Sequence, residues 1–190
     1  RPRLSSRSSP SLTMPPSQLG AFAKSDPSQP SANIEWHVQP LSLDKFGSPL
    51  HRYNAITPSV CNLRPSSRGT VTLKSANPHD APAIAPNYLS TTDDLDVAVA
   101  GLRYTREIMA APALAPFKPT ELKPGPEIQS EDDLKRAAGD LGTTIFHPVG
   151  TCKMGPRHDT NAVVDDELRV HGIKGLRVID ASIMPTITSG

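Results

Sequence analysis

Residues 142–155 read Gly-Thr-Thr-Ile-Phe-His-Pro-Val-Gly-Thr-Cys-Lys-Met-Gly, and residues 175–185 read Gly-Leu-Arg-Val-Ile-Asp-Ala-Ser-Ile-Met-Pro. Between these two stretches lie two further short apolar pieces, residues 163–164 and 168–170, and Gly172 follows the second. Such pieces are too short for helices, and glycine lets the backbone turn tightly or approach a neighbour closely. The last third of the chain therefore predicts short strands and loops held close to a bulky partner.

Upstream of these stretches the sequence predicts two helices. The first runs from about Thr92 to Ala111, with acidic residues in its first turn and Pro112 at its end. One face of this helix is formed by Leu95, Val99, Leu102, Arg106 and Met109. Ser130-Glu-Asp-Asp133 has the form of a capping box and predicts a second, short helix to about Ala138. The stretch between the helices, residues 112–126, holds five prolines and predicts a surface connection.

Strand patterns precede the helices. Residues Ile34 to Leu43 alternate between apolar and polar positions, as a half-buried strand does. Residues 59–63 and Gly69 to Lys74 are further strand candidates, and residues 64–69 between them supply turn residues, with Gly69 free to take a positive φ. Residues 12–22 predict a loop that leads towards this sheet. Together with the helices, the three strands predict an α+β fold with an antiparallel sheet.

Composition excludes several classes of function. The net charge is +1, from 20 basic and 19 acidic residues, so no charged partner such as a nucleic acid is indicated. No apolar run is long enough to span a membrane, and no signal peptide is evident, so we expect a cytoplasmic protein. The two cysteines, Cys61 and Cys152, have no spacing typical of zinc ligands, so we expect no metal site. Residues 1–10, mostly Arg, Ser and Pro, predict a disordered terminus.

The elements from His147 through Asp180 to Pro185, with Ser189-Gly190 after them, resemble the closing signature of the glucose-methanol-choline oxidoreductases. Many fixed elements in the correct order over more than forty residues make this resemblance specific. Residues 62–69 and the helix after them also resemble the C-terminal domain of that family, whose members include choline and alcohol dehydrogenases. The resemblance therefore covers about residues 11–190.

In that family FAD lies in an N-terminal Rossmann-like domain, and the C-terminal domain places a sheet over the substrate before the chain returns to the flavin. The resemblance implies that residues 11–141 form the substrate-binding domain. It also implies that residues 142–190 are the returning segment of the FAD domain and contribute to the active site. FAD is then the expected cofactor.

The resemblance implies oxidation of the CH–OH group of an alcohol, expected to be primary, by hydride transfer to the flavin. Such a reaction needs a base close to the hydroxyl, and His147 matches the active-site histidine of the family. Asp180 matches an aspartate beside the ribityl and diphosphate part of FAD, with the backbone of Ala181 adjacent. The alternative interpretation of Asp180 is a turn aspartate at the end of a strand.

The substrate is a small-molecule alcohol whose identity the sequence leaves open. His37 alternates with Trp36 along its strand and shares a face with Glu35 and Gln39, so it is a candidate for facing the substrate. A hydrogen-bonded sheet histidine is an equally good interpretation. Trp36 is the one tryptophan that could contribute to an aromatic cage for a quaternary ammonium, so we favour a general alcohol over choline. Oxidases and dehydrogenases of the family share these motifs, so the electron acceptor stays open, as does the oligomeric state.

Two departures from the family pattern bear on activity. The family continues past Ser-Gly with an asparagine or histidine that pairs with the catalytic histidine, whereas this sequence ends at Gly190. It also contains no GxGxxG fingerprint. We therefore expect a fragment of a flavoenzyme that is inactive alone, with a truncated non-catalytic remnant or an interaction module as the alternative. A hydrolase is a distant third, because no GxSxG elbow accompanies His147, Asp180 and the serines.

Overall fold

The computed structural model describes residues 17–45 and 47–188, so the terminus predicted to be disordered lies outside the described residues. The chain divides into two compact units. The first comprises the described residues up to Asn62 together with Val97–Pro126, and the second comprises Leu63–Asp96 and the described residues from Glu127 onward. Antiparallel sheets and helices make up the fold, which confirms the α+β prediction.

The first unit contains a three-stranded antiparallel sheet of β1 (Leu19–Ala23), β2 (Ile34–Gln39) and β3 (Thr57–Asn62), in the order β1-β2-β3. The strand β2 is shorter than predicted, because Pro40 follows it and cannot donate to the ladder. The loop predicted over residues 12–22 is wrong at its end, since residues 19–23 pair with β2. Gly20 interrupts this short apolar run, so the sequence alone did not mark a strand, and the neighbouring strand supplies the hydrogen bonds that order it.

The helix α1 (Thr92–Met109) covers one face of this sheet through its residues in the first unit. Trp36 is only 2% exposed, donates its indole N–H to Thr105 Oγ1 at 2.7 Å and meets the ring of Tyr104 edge to face at 5.2 Å. A Cβ at Gly101 would come within 2.9 Å of a methyl group of Val60, so glycine is needed for this close approach. The core of the first unit therefore lies between α1 and the Trp36 face of the sheet.

The predicted helix over residues 92–111 is confirmed, apart from its last two residues. The proline-rich stretch after it contains a 3₁₀ helix, Pro112–Phe117. None of its residues is buried, which agrees with the predicted surface connection. Farther along, Glu121 forms an ion pair with Arg106 at 2.8 Å, and the same guanidinium donates to the carbonyl of Gly125 at 3.1 Å. The stretch is thereby held against the end of α1.

The second unit contains a separate two-stranded antiparallel sheet, β4 (Thr70–Thr72) with β5 (Ala83–Ala85). The prediction that the third strand candidate joins the other two is therefore wrong. A Cβ at Gly69 would lie 2.2 Å from the carbonyl oxygen of Ala85, and Gly69 does not take a positive φ. Close backbone approach, rather than the predicted positive φ, explains the glycine.

Side chains at two helix starts organise the rest of the second unit. Asp94, in the first turn of α1 and 4% exposed, accepts the backbone N–H groups of Ser66 at 2.8 Å and Ser67 at 2.9 Å. The helix α2 (Glu131–Leu141) begins with Ser130, whose Oγ accepts the N–H of Asp133 at 3.1 Å, which confirms the predicted cap. It extends three residues beyond the predicted end and buries Leu134.

The C-terminal region of the second unit is held by isolated bridges rather than by the short strands that were predicted. Val164, which is completely buried, pairs with both Met154 and Val170. Leu168 and Gly172 have positive φ values of 65° and 82°, and these turns interrupt any longer ladder. No helix among the described residues is both long and apolar enough to cross a membrane.

Candidate active site

His147 lies in the irregular segment that follows α2 and is exposed. The residue before it, Phe146, takes a φ of 64°, a left-handed conformation that is rare for a bulky side chain. The N–H of Phe146 bonds to Thr144 Oγ1 at 3.0 Å. Neither a hydrogen bond nor an ion pair joins the side chain of His147 to any described residue. Both ring nitrogens are thus available to a ligand.

The segment after His147 is tied to the turn that contains the other predicted site residues. The N–H of Cys152 donates to the carbonyl of Ser182 at 3.0 Å, and the N–H of Met154 donates to the carbonyl of Ile183 at 2.8 Å. Gly150, with a φ of 89°, turns the chain between His147 and these two bonds. The structure therefore brings the histidine loop and this turn together in the second unit.

Asp180 caps the short 3₁₀ helix Ala181–Ile183, since its Oδ1 accepts the N–H of Ser182 at 2.8 Å. This hydrogen bonding from Ser182 holds the pKa of Asp180 below its ordinary value, so the carboxylate is ionised at neutral pH. This local geometry agrees with the alternative interpretation of Asp180 as a turn aspartate. A capping role and a ligand-binding role are compatible, however, because the side chain is exposed and a carboxylate has about four acceptor sites.

The residues present fit a ligand such as the diphosphate and ribityl part of FAD. Ala181 is exposed, and its N–H donates to no described residue. The turn therefore offers a free amide N–H, which can donate to a phosphate oxygen, and an ionised carboxylate, which can accept from a ribityl hydroxyl group.

His37 lies in the first unit, on the face of β2 opposite to Trp36, as the alternation predicted. Its Nε2 is buried and makes no hydrogen bond with a described residue, although it lies 3.4 Å from Glu35 Oε1, within ion-pair range. The geometry between these two groups is poor for a hydrogen bond, so we regard the contact as electrostatic. The interpretation of His37 as a hydrogen-bonded sheet histidine is not supported at Nε2.

Cys61, which sequence reasoning left out of any site, lies directly opposite Glu35 on β3. The donor atoms of Glu35, His37 and Cys61 all lie within 4.8 Å of one another. Burial, with a smaller contribution from the negative charge of Glu35, raises the pKa of the Cys61 thiol to about 11. The register of β2 with β3 could have revealed this cluster, whereas the spacing of cysteines along the chain could not.

Two other histidines have evident structural partners. His51 stacks on Tyr53 at 4.9 Å and contacts the Ser42 hydroxyl at 2.9 Å, and His171 Nε2 lies 3.1 Å from the carbonyl of Gly155. Neither was assigned a catalytic role.

In the first unit a sheet packs on a helix. In the second unit an exposed histidine loop is hydrogen-bonded to the turn that Asp180 caps. These features are typical of the C-terminal part of a flavin-dependent oxidoreductase. The chain belongs to the GMC oxidoreductase family, whose model matches residues 65–190. This result confirms the resemblance carried by the closing signature.

Similar proteins are much longer than this chain. It is 41% identical over 179 residues to the alcohol dehydrogenase (acceptor) of Pseudomonas putida, covering 94% of this chain and 32% of that protein. It is 43% identical over 173 residues to the oxygen-dependent choline dehydrogenase of Pseudomonas fluorescens, covering 91% and 30%. Its structure is similar to that of pyridoxine 4-oxidase from Mesorbium loti, with a TM-score of 0.78, 28% identity and coverage of 90% and 34%. The chain thus spans about a third of the length of these proteins.

Proposed function

We propose that the protein of which this chain is part oxidises the CH–OH group of a primary alcohol, with His147 as the acid–base group and FAD as the cofactor. The observation that carries the proposal is the exposed, unpartnered His147, whose loop is tied by two backbone hydrogen bonds to the turn after Asp180. The relatives named alcohol and choline dehydrogenases support the same reaction class.

His147 is the group that takes the hydroxyl proton. Oxidation of an alcohol releases a proton from oxygen, and a base within hydrogen-bond reach of that oxygen lowers the barrier. A histidine suits this role because its neutral imidazole has one nitrogen free to accept. His147 is exposed and has no described partner that would occupy that nitrogen.

Asp180 and Ala181 bind the cofactor. FAD supplies the hydride acceptor that the side chains of this protein lack. The ionised Asp180 carboxylate would accept a hydrogen bond from a ribityl hydroxyl, and the Ala181 N–H would donate to an oxygen of the cofactor. The Ser182 N–H fixes the orientation of the carboxylate, because it donates to one of its oxygens.

His37 faces the substrate, while residues 11–141 provide the substrate-binding domain and residues 142–190 the returning, cofactor-contacting segment. Trp36 lies on the opposite face of β2 and is 2% exposed, with its N–H bonded to Thr105. It is therefore unable to line a cage for a quaternary ammonium, which favours a general alcohol over choline. We propose that the protein acts in the cytoplasm.

A chimeric enzyme tests the role of His147. The matched segment of the Pseudomonas putida alcohol dehydrogenase is replaced by this chain, and alcohol-dependent bleaching of bound flavin is recorded without oxygen. We expect His147→Ala to slow bleaching by ~10²–10⁴-fold while FAD stays bound. His158→Ala is the matched control, since His158 is an exposed loop histidine in the same unit, and it should leave the rate unchanged. Equal rates in the two variants would exclude His147 as the base.

A non-catalytic remnant or an interaction module is the second candidate, because the chain is short relative to its relatives. The two candidates differ in the chimera. A remnant would yield FAD-loaded chimera in which no primary alcohol bleaches the flavin, although the parent dehydrogenase is bleached by the same alcohols. The proposed oxidoreductase yields bleaching that depends on His147.

A further inference from the structure

The polar face of the sheet in the first unit carries three side chains of types that are common ligands of transition metals. Glu35 and His37 lie two residues apart on β2 and therefore point to the same side. Cys61 is the cross-strand partner of Glu35 and shares that side. One ligand atom from each residue lies within 4.8 Å of the other two.

We propose that Glu35, His37 and Cys61 form a binding site for a zinc-like divalent cation, with water in the fourth position. Three protein ligands and one open position are the usual arrangement of zinc sites that bind a further ligand. A thiolate and an imidazole select zinc and its chemical neighbours over Mg²⁺ and Ca²⁺, which prefer oxygen ligands throughout.

The distances are close to those that a metal needs. Zinc bonds of ~2.0–2.3 Å in tetrahedral geometry place the ligand atoms ~3.3–3.8 Å apart. The separations of up to 4.8 Å exceed that range by about one ångström at most, which side-chain rotation can close. Glu35 Oε1 and His37 Nε2, at 3.4 Å, already have the required separation.

The surroundings leave one of these ligand atoms without a hydrogen-bond partner among the described residues. His37 Nε2 is buried without a hydrogen bond to a described residue, and burying a polar nitrogen in that state costs free energy. A bound cation would satisfy it. On the neighbouring strand β1 the residue opposite His37 is Gly20, and a Cβ there would meet only the carbonyl oxygen of Trp36, at 3.8 Å. No side chain of β1 therefore lies directly opposite His37.

The sheet register holds the three residues in place independently of the cofactor site. Glu35 pairs with Cys61 and His37 pairs with Ser59, in an antiparallel ladder of six residue pairs. The opposite face of the same strands is fixed by the burial of Trp36 against α1. The metal site goes beyond the proposed function: it makes His37, which there faces the substrate, a metal ligand, and it requires neither FAD nor His147.

Cobalt titration of the full 190-residue chain tests the site, because Co²⁺ bound by a thiolate gives a near-ultraviolet charge-transfer band. We expect one Co²⁺ per chain, displaced by one equivalent of Zn²⁺. Cys61→Ser should abolish the band, whereas Cys152→Ser, which removes the other cysteine, should leave it unchanged. A band retained in Cys61→Ser or lost in Cys152→Ser would overturn the proposal.

Two further variants test the other ligands and guard against a folding defect in Cys61→Ser. His37→Gln and Glu35→Gln should each weaken Co²⁺ binding at least ~10-fold, because even residues outside the first ligand shell contribute that much to metal sites. Fluorescence of Trp36, the single tryptophan, reports whether each variant retains the packed sheet. Folded variants that bind Co²⁺ as tightly as the unmodified chain, or an unmodified chain that binds none, would contradict the assignment.

Discussion

The sheet of the first unit and the C-terminal loops of the second unit hold reactive side chains in different ways. His37 is placed by a continuous ladder of paired strands and by the packing of the opposite sheet face. His147 lies in irregular backbone, and its segment is anchored by two hydrogen bonds to residues 182 and 183. Side chains on the sheet therefore depend on hydrophobic packing, and those on the loops depend on individual hydrogen bonds at turns and caps.

Removing the packing of the sheet should produce the largest effect on stability. Trp36→Ala deletes a side chain that is 2% exposed and should lower the free energy of unfolding by ~3–5 kcal/mol. Urea denaturation followed by circular dichroism measures the change. Hydrogen exchange should show faster exchange in β2 and β3, because their packed face is lost.

Trp36→Phe is the control for this substitution. It keeps an aromatic ring against Tyr104 and loses the hydrogen bond to Thr105, so we expect a smaller loss than for alanine. If the two variants were equally unstable, the hydrogen bond rather than packing would position the sheet, and the contrast with the loops would disappear.

In the second unit, we expect stability to depend strongly on a single carboxylate, that of Asp94. Burial disfavours the charge of Asp94, but the hydrogen bonds from Ser67 and Ser66 outweigh burial and hold its pKa below the ordinary value. Asp94→Asn should therefore cost ~1–3 kcal/mol at neutral pH, because the amide nitrogen that replaces one carboxylate oxygen cannot accept one of the two backbone N–H groups. Asp93→Asn, at the exposed neighbouring position, should cost much less.

The pH dependence of this loss has a definite sign. A carboxyl group whose pKa is lower in the folded state stabilises the fold fully above its unfolded pKa of ~3.9, and that contribution is lost as pH falls through the folded value. The difference in stability between the unmodified protein and Asp94→Asn should thus shrink below about pH 4. A difference that stays constant down to acid pH would show that Asp94 does not act through its charge.

The sequence predicts the regular elements well where one residue pattern decides them. The alternation in β2, the apolar face of α1 and the Ser130 cap are all present in the structure. It misses β1 and β5, which are short and are ordered by pairing with a neighbouring strand. Gly69 illustrates the same limit, since the need for glycine arises from a carbonyl contributed by Ala85, sixteen residues away.

The sequence likewise predicts only part of the candidate site. His147 and Asp180 were selected by an ordered signature, and the structure joins their segments through backbone hydrogen bonds that no side-chain pattern encodes. The sequence pattern could group only Glu35 with His37, because these two residues share a strand. Cys61 comes from another strand, so only the pairing register places it there.

The smallest predicted effect concerns the helix that leads into the histidine loop. Ser130→Ala removes the oxygen that accepts the Asp133 N–H at 3.1 Å and should lower the free energy of unfolding by about 1 kcal/mol. Ser130→Asn keeps an acceptor at the same position and should restore most of that loss. Urea denaturation of the two variants measures the difference. If alanine and asparagine were equally destabilising, the start of α2 would be fixed by the burial of Leu134 instead, and this part of the second unit would depend on packing as the sheet does.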